Sequence, residues 1–116
     1  MPPATPERWQ CDAGDAAEAV LLIPPDAHRE RHFEIACNLT VRCGDDLAGA
    51  WHELVVLANG AQQWRRRISS SNPGSVDGLD YRFSRVLPVG EALRLVLRCA
   101  VRGVRRQRLL VEADEV

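Results

Sequence analysis

The sequence predicts an all-β antiparallel sandwich of seven to eight strands, and three patterns carry that reading. Phe33, Ile35, Cys37, Leu39, Val41 and Cys43 alternate without a break against Glu34, Ala36, Asn38, Thr40 and Arg42. A period of two puts every apolar member on one face of a pleated strand, which covers a core on one side and meets water on the other. The same alternation returns in Leu93, Leu95, Leu97 and Cys99, and Asn59-Gly60 separates two strand-like runs in mid-chain.

Length and charge bound the rest. The chain has 116 residues, and a domain of this size buries roughly two thirds of the surface its unfolded chain exposes, enough for a core without disulfide staples. Pro2, Pro3 and Pro6 make residues 1–7 read as a flexible tail, leaving 8–116 as the domain. No run of about 18 apolar residues occurs, and the first residues lack the basic and apolar stretches of a signal peptide. The expectation is a soluble, cytoplasmic protein with no membrane partner.

All fifteen basic residues are arginine. A GC-rich coding genome produces that bias as readily as a binding role does, so it is no signal of function by itself. The formal net charge of −1 hides an asymmetry, since residues 1–60 carry four arginines against ten acids and residues 61–116 carry eleven against six. Such polarity attracts an acidic partner, lets two copies complement each other, or cancels within one fold whose early and late strands interleave.

Taken in order, Arg8–Cys11 is an optional eighth strand, and Ala16–Ile23 grows apolar until Pro24-Pro25 stops it, because proline donates no ladder hydrogen bond. Phe33–Cys43 follows and ends at Gly44-Asp45-Asp46. Asn59-Gly60 then joins Trp51–Ala58 to Ala61–Ile68, because a two-residue type I′ turn needs positive φ at both central positions and Asn-Gly tolerates it. That turn sets Ala58 against Ala61, Val55 against Trp64, Glu53 against Arg66 and Trp51 against Ile68. Aromatic–aliphatic and opposite-charge pairs across a ladder contribute about 0.2–1 kcal/mol each.

Ser69–Gly78 reads as a loop, and Leu79, Tyr81 and Phe83 share one face of the next strand, which ends near Leu87-Pro88. The last two strands, Ala92–Ala100 and Val104–Ala113, are expected to pair as a hairpin through Val101-Arg102-Gly103, setting Leu95 against Leu109 and Leu93 against Val111. Helix is confined to a turn or two in Asp12–Ala19 or Asp26–His32.

Cys37, Trp51 and Cys99 resemble the immunoglobulin-domain pattern of two cysteines in facing sheets with a tryptophan packed against them, although Leu97 stands where that family has a tyrosine. The resemblance implies an immunoglobulin-like sandwich, and in a cytosolic chain the two thiols are expected to stay reduced. Cys37 and Cys43 are about 20 Å apart along one strand and cannot bond to each other.

Chemical motifs are scarce. The four cysteines contain no Cys-x-x-Cys pair, and His28-Arg29-Glu30-Arg31-His32 has arginine where a zinc protease has glutamate, so no metal or cofactor is expected. Ser69, Ser70, Ser71 and Ser75 sit in a turn-rich loop with no Gly-x-Ser-x-Gly, and no paired carboxylates suggest catalysis.

Two surfaces stand out. Arg94 and Arg98, with Arg106 and Arg108 on the strand expected beside them, form an arginine row suited to carboxylate or phosphate. Nucleic acid is a poor fit, because no aromatic residues are interleaved with these arginines. The Asn59-Gly60 hairpin is apolar on both faces. Burying Trp51 and Trp64 leaves Leu54 and Val56 exposed as a contact strip; the opposite orientation makes Trp51 and Trp64, flanking Glu53 and Arg66, a ligand platform. The sequence therefore points to a non-catalytic protein-interaction module that self-associates as a homodimer or takes another protein partner, with a small-ligand or anion-binding domain as the alternative.

Overall fold

Alternation of this kind, repeated along the chain, leaves each strand one dry face, and two sheets laid face to face satisfy all of them at once. The computed structural model describes residues 5–116, so Pro2 and Pro3 of the expected tail lie outside the described residues. It contains β1 (Arg8–Asp12), β2 (Glu18–Ile23), β3 (Arg31–Cys43), β4 (Trp51–Ala58), β5 (Ala61–Ser69), β6 (Val76–Leu87), β7 (Leu93–Arg102) and β8 (Val104–Glu115). One antiparallel sheet has the order β1-β8-β3-β6 and the other β2-β7-β4-β5. The chain is an all-β sandwich, and the optional eighth strand is real, with Arg8–Asp12 pairing to β8. Neither segment considered for helix is helical; Asp26 instead accepts the backbone N–H groups of His28 and Arg29 in a tight turn.

The core lies between the sheets. Phe33, Ile35, Cys37, Leu39, Val41 and Cys43 are all buried, facing Leu93, Leu95 and Leu97 of the second sheet, as their period requires. Each sheet takes two strands from each half of the chain, so the acidic and basic halves interleave. Arg8–Asp114, Arg98–Glu18 and Arg108–Asp12 join one half to the other.

The expected terminal hairpin does not form. β7 pairs with β2 and β4, whereas β8 pairs with β1 and β3, so the chain crosses from one sheet to the other at Gly103, whose φ is +72°. The apolar complementarity that suggested Leu95 beside Leu109 is satisfied across the core instead of along a ladder. Periodicity states which face is dry, and it does not distinguish a neighbour in the same sheet from one in the facing sheet. β6 also starts earlier than the loop composition implied. Val76–Gly78 pair with Thr40–Arg42, because β3 is 13 residues long and offers partners that far along.

The Asn59-Gly60 turn has φ of 49° and 81°, the two positive values a type I′ turn needs. Beyond it the register departs from expectation. Ala58 pairs Ala61 and Leu57 pairs Gln62, but Val56 pairs Trp64, leaving Gln63 as the extra residue of a β-bulge. From there on Val55 meets Arg65, Leu54 meets Arg66, Glu53 meets Arg67 and Trp51 meets Ser69.

At one end of the sandwich a polar clamp ties the first and last strands together. Glu7, counted with the tail by sequence, accepts from Trp9 Nε1 at 2.9 Å, Arg31 Nη1 at 2.7 Å and Arg29 Nη2 at 2.8 Å. Arg29 also bonds both oxygens of Glu115. Arg31 is 2% exposed, donates to the Pro24 carbonyl at 2.7 Å and lies over the Phe33 ring.

Candidate interaction face

Leu54 and Val56, expected as an exposed contact strip, are each 0% exposed. β4 turns His52, Leu54, Val56 and Ala58 to the core, and the outward residues are Trp51, Glu53, Val55 and Leu57. The strip is therefore core, not surface. Burying both tryptophans together was likewise not the solution. The bulge at Gln63 places Trp64 on the inner side with Val56, where it stacks on Tyr81, while Trp51 lies on the outer face. Trp51 thus does not pack between Cys37 and Cys99, which stand in opposite sheets as buried free thiols.

The arginine row is divided as well. Arg94 and Arg98 are on the outer face of β7, in one sheet, and Arg106 and Arg108 are on β8, in the other. Within β8 a second bulge, between Thr40 and Val41 of the partner strand, puts Arg108 opposite Thr40 and Arg106 opposite Val41, so the two no longer share a face. Arg108 pairs with Asp12 at 3.1 Å, and Arg106 donates to the Asp15 carbonyl at 2.9 Å. The platform of Trp51, Trp64, Glu53 and Arg66 is split by the first bulge in the same way.

What the fold assembles instead is the outer face of the β2-β7-β4-β5 sheet. Because Leu93, Leu95 and Leu97 point inward, Arg94, Arg98 and Arg102 point out. Arg65 and Arg67 join them from β5, being the partners of the outward Val55 and Glu53. Five arginines meet two carboxylates, Glu18 and Glu53, around an apolar strip of Val20, Val55, Leu57 and Val96. Val96 is 1% exposed although it faces outward, screened by its neighbours.

Glu53 organises one side of this face. It is 5% exposed, bonded to Arg65 at 2.8 Å and to Arg67 at 2.7 Å. Burial alone would push its carboxyl up, but the Arg67 hydrogen bond and the charge of Arg65 hold it below its ordinary value. The Arg67 guanidinium also lies 3.7 Å from the Trp51 ring centre, a cation–π stack that orients it. Arg94 and Arg102 have no ion-pair partner among the described residues. The signal for Arg65 and Arg67 was present in the triplet Arg65-Arg66-Arg67, whose outward members become identifiable only once the bulge is known.

Sequence reading also missed a buried polar cluster. His52 Nδ1 lies 2.8 Å from Ser70 Oγ, and its Nε2 lies 3.1 Å from the Gly78 carbonyl and 3.9 Å from Asp77 Oδ1. The carbonyl can only accept, so Nε2 carries the proton and Nδ1 accepts from the serine hydroxyl. This is the hydrogen-bond order of a base-activated serine. However, His52 is 0% and Ser70 6% exposed, so a substrate has no approach to the hydroxyl. The cluster ties β4 to both ends of the loop between β5 and β6. Residues spaced 18 and 25 positions from His52 leave no local pattern to find.

Burial pushes the Cys37 thiol up to about 12, so it stays protonated and inert. Among the described residues no three His, Cys, Asp or Glu side chains come together as metal ligands. No helix among them is long and apolar enough to cross a membrane.

No family model and no curated protein matches the chain. Its fold is similar to part of a solved structure, dimeric latent PorU from Porphyromonas gingivalis, with a TM-score of 0.54 and 15% sequence identity. The likeness covers 90% of this chain and 10% of that one, so this chain spans about a tenth of that protein's length.

Proposed function

We propose that this chain is a non-catalytic protein-interaction module that receives an acidic partner on the outer face of the β2-β7-β4-β5 sheet. One observation carries the reading: five arginines against two carboxylates on one sheet face that also offers apolar surface. The outer face of a sheet suits a macromolecule, because small ligands are held in concave sites that enclose most of their surface. Arginine suits the core of such an interface, since its planar fork bonds carboxylates bidentately and sheds water at low cost. The small-ligand alternative is weaker here, because Arg67 already covers one face of Trp51. Four free thiols support a reducing compartment such as the cytoplasm. An immunoglobulin-like arrangement belongs to the same reading, supported by Cys37 and Cys99 in opposite sheets.

The test is binding of poly-L-glutamate by titration calorimetry at low and moderate salt. Arg94→Glu with Arg102→Glu leaves every ion pair of the fold in place and should weaken binding at least tenfold, whereas Arg82→Glu on the other sheet should leave it near the parent value. Absence of salt-sensitive binding, or equal loss in both variants, would sink the proposal. Sedimentation velocity at high concentration decides whether the partner is a second copy.

A further inference from the structure

Arg42 on β3 and Arg105 on β8 are direct cross-strand partners. Like charges placed opposite each other in an antiparallel ladder destabilise it. Several other arginines have carboxylate partners, Arg8 with Asp114, Arg98 with Glu18, Arg108 with Asp12, and Arg65 and Arg67 with Glu53, while the unpaired Arg94 and Arg102 stand opposite Leu22 and Trp51, not opposite another arginine. Among the described residues Arg42 and Arg105 take part in no ion pair. Asp46, close to Arg42 in sequence, is engaged elsewhere, accepting from the Ala48 N–H at 3.0 Å.

The bulge between Thr40 and Val41 selects which arginine opposes Arg42, since an unshifted ladder would set Arg106 there. It turns Arg105 onto the outer face beside Arg42 and sends Arg106 toward the Asp15 carbonyl. A pocket opens at the pair, lined by Arg42, Cys43, Gly44, Gly103, Val104 and Arg105. Gly44, which lines the same pocket, has open space where a side chain would stand, so a ligand can approach the backbone there.

We propose that this pocket binds a dianionic tetrahedral oxyanion, the phosphate group, bridging Arg42 and Arg105. Each guanidinium presents a fork of N–H donors that fits phosphate oxygens bidentately. Two ligand charges answer both arginines and turn their repulsion into a bridge, where a lone carboxylate would leave one positive charge unanswered. The site lies at the end of the β1-β8-β3-β6 sheet and is independent of the interaction face proposed above. The phosphate comes either as the free ion or as an ester.

Arginine Nε–Hε cross-peaks in nitrogen–proton correlation spectra report the site directly. Sodium phosphate, and separately O-phosphoserine, are titrated above the second ionisation of each, about 6 for the ester and roughly a unit higher for the free ion, with sodium chloride at matched ionic strength as reference. Arg42 and Arg105 should move saturably with the phosphates and not with chloride. Arg42→Gln and Arg105→Gln should each weaken binding about tenfold, as loss of a charged hydrogen-bond donor does. Arg105→Lys should recover part of it, and Arg82→Gln should change nothing. Tighter binding of phosphoserine assigns an ester as the ligand, and tighter binding of phosphate assigns the free ion. Shifts that follow ionic strength alone, or an unaltered affinity in Arg105→Gln, would overturn the proposal.

Discussion

Trp64 lies parallel on Tyr81, with ring centres 4.7 Å apart and planes within 9°. The contact closes the side of the sandwich where β5 and β6 are the outermost strands of their sheets. Tyr81 stacks in turn on Phe83 at 5.4 Å, so three rings stand between that edge of the core and water. Such pairs contribute about 0.5–1.5 kcal/mol beyond the area they bury.

Trp64→Ala should therefore lower stability by about 2 kcal/mol, below the full-burial range because the ring is only partly buried, and Trp64→Phe should recover part of that. Urea titration checks it: the midpoint falls while the slope stays constant. An unchanged midpoint would mean the ring stack contributes nothing.

Leu54→Ala should cost about 3 kcal/mol, the cost of a cavity in a packed core, and leave the oligomeric state at low temperature as it was. The opposite pattern, a stable fold with altered self-association, would place Leu54 at an interface. Calorimetric melting beside sedimentation separates the two.

Gly78 lies opposite Thr40, and a Cβ added to it would overlap the Leu39 carbonyl oxygen. Gly78→Ala should force β3 and β6 apart locally and cost about 2 kcal/mol. It also displaces the carbonyl that receives the His52 proton, so the His52 ring resonances should move. Wild-type stability with unmoved histidine signals would contradict both statements.

The hydrogen bonds from Arg29 hold the Glu115 carboxyl at about 2, against an ordinary value of 4.5. A depressed acid stabilises the fold fully above its unfolded pKa and progressively less as pH falls toward the folded one. Urea midpoints measured between those two values should decline with acidification, and Glu115→Gln should flatten that part of the profile. A parent profile that is level through this window would show that the clamp is not linked to protonation.

Glu53→Gln removes the carboxylate that neutralises Arg65 and Arg67. The fold should weaken, because two guanidinium groups then crowd without a counter-charge, while poly-L-glutamate should bind more tightly as the face gains a positive charge. Weaker binding in a variant shown to be folded would count against this face as the acidic partner's site.

Alternation along Phe33–Cys43 and the Asn59-Gly60 turn determined the class of fold, the strands and the inward faces of β3 and β7, because these depend on a side-chain period of two and on the φ tolerance of two residues. They left open which strand sits beside which. Gly103 sends β8 to the opposite sheet, and both arrangements bury Leu93, Leu95, Leu109 and Val111. The surfaces were less legible still. One extra residue at Gln63 parts Trp64 from Trp51 and gathers Arg65 and Arg67 about Glu53, and another bulge opposes Arg105 to Arg42. A bulge leaves no mark in hydropathy, since it is set by how neighbouring strands twist and meet. The sequence wrote the dry interior of this protein, and only tertiary packing decided which charges stand together outside it.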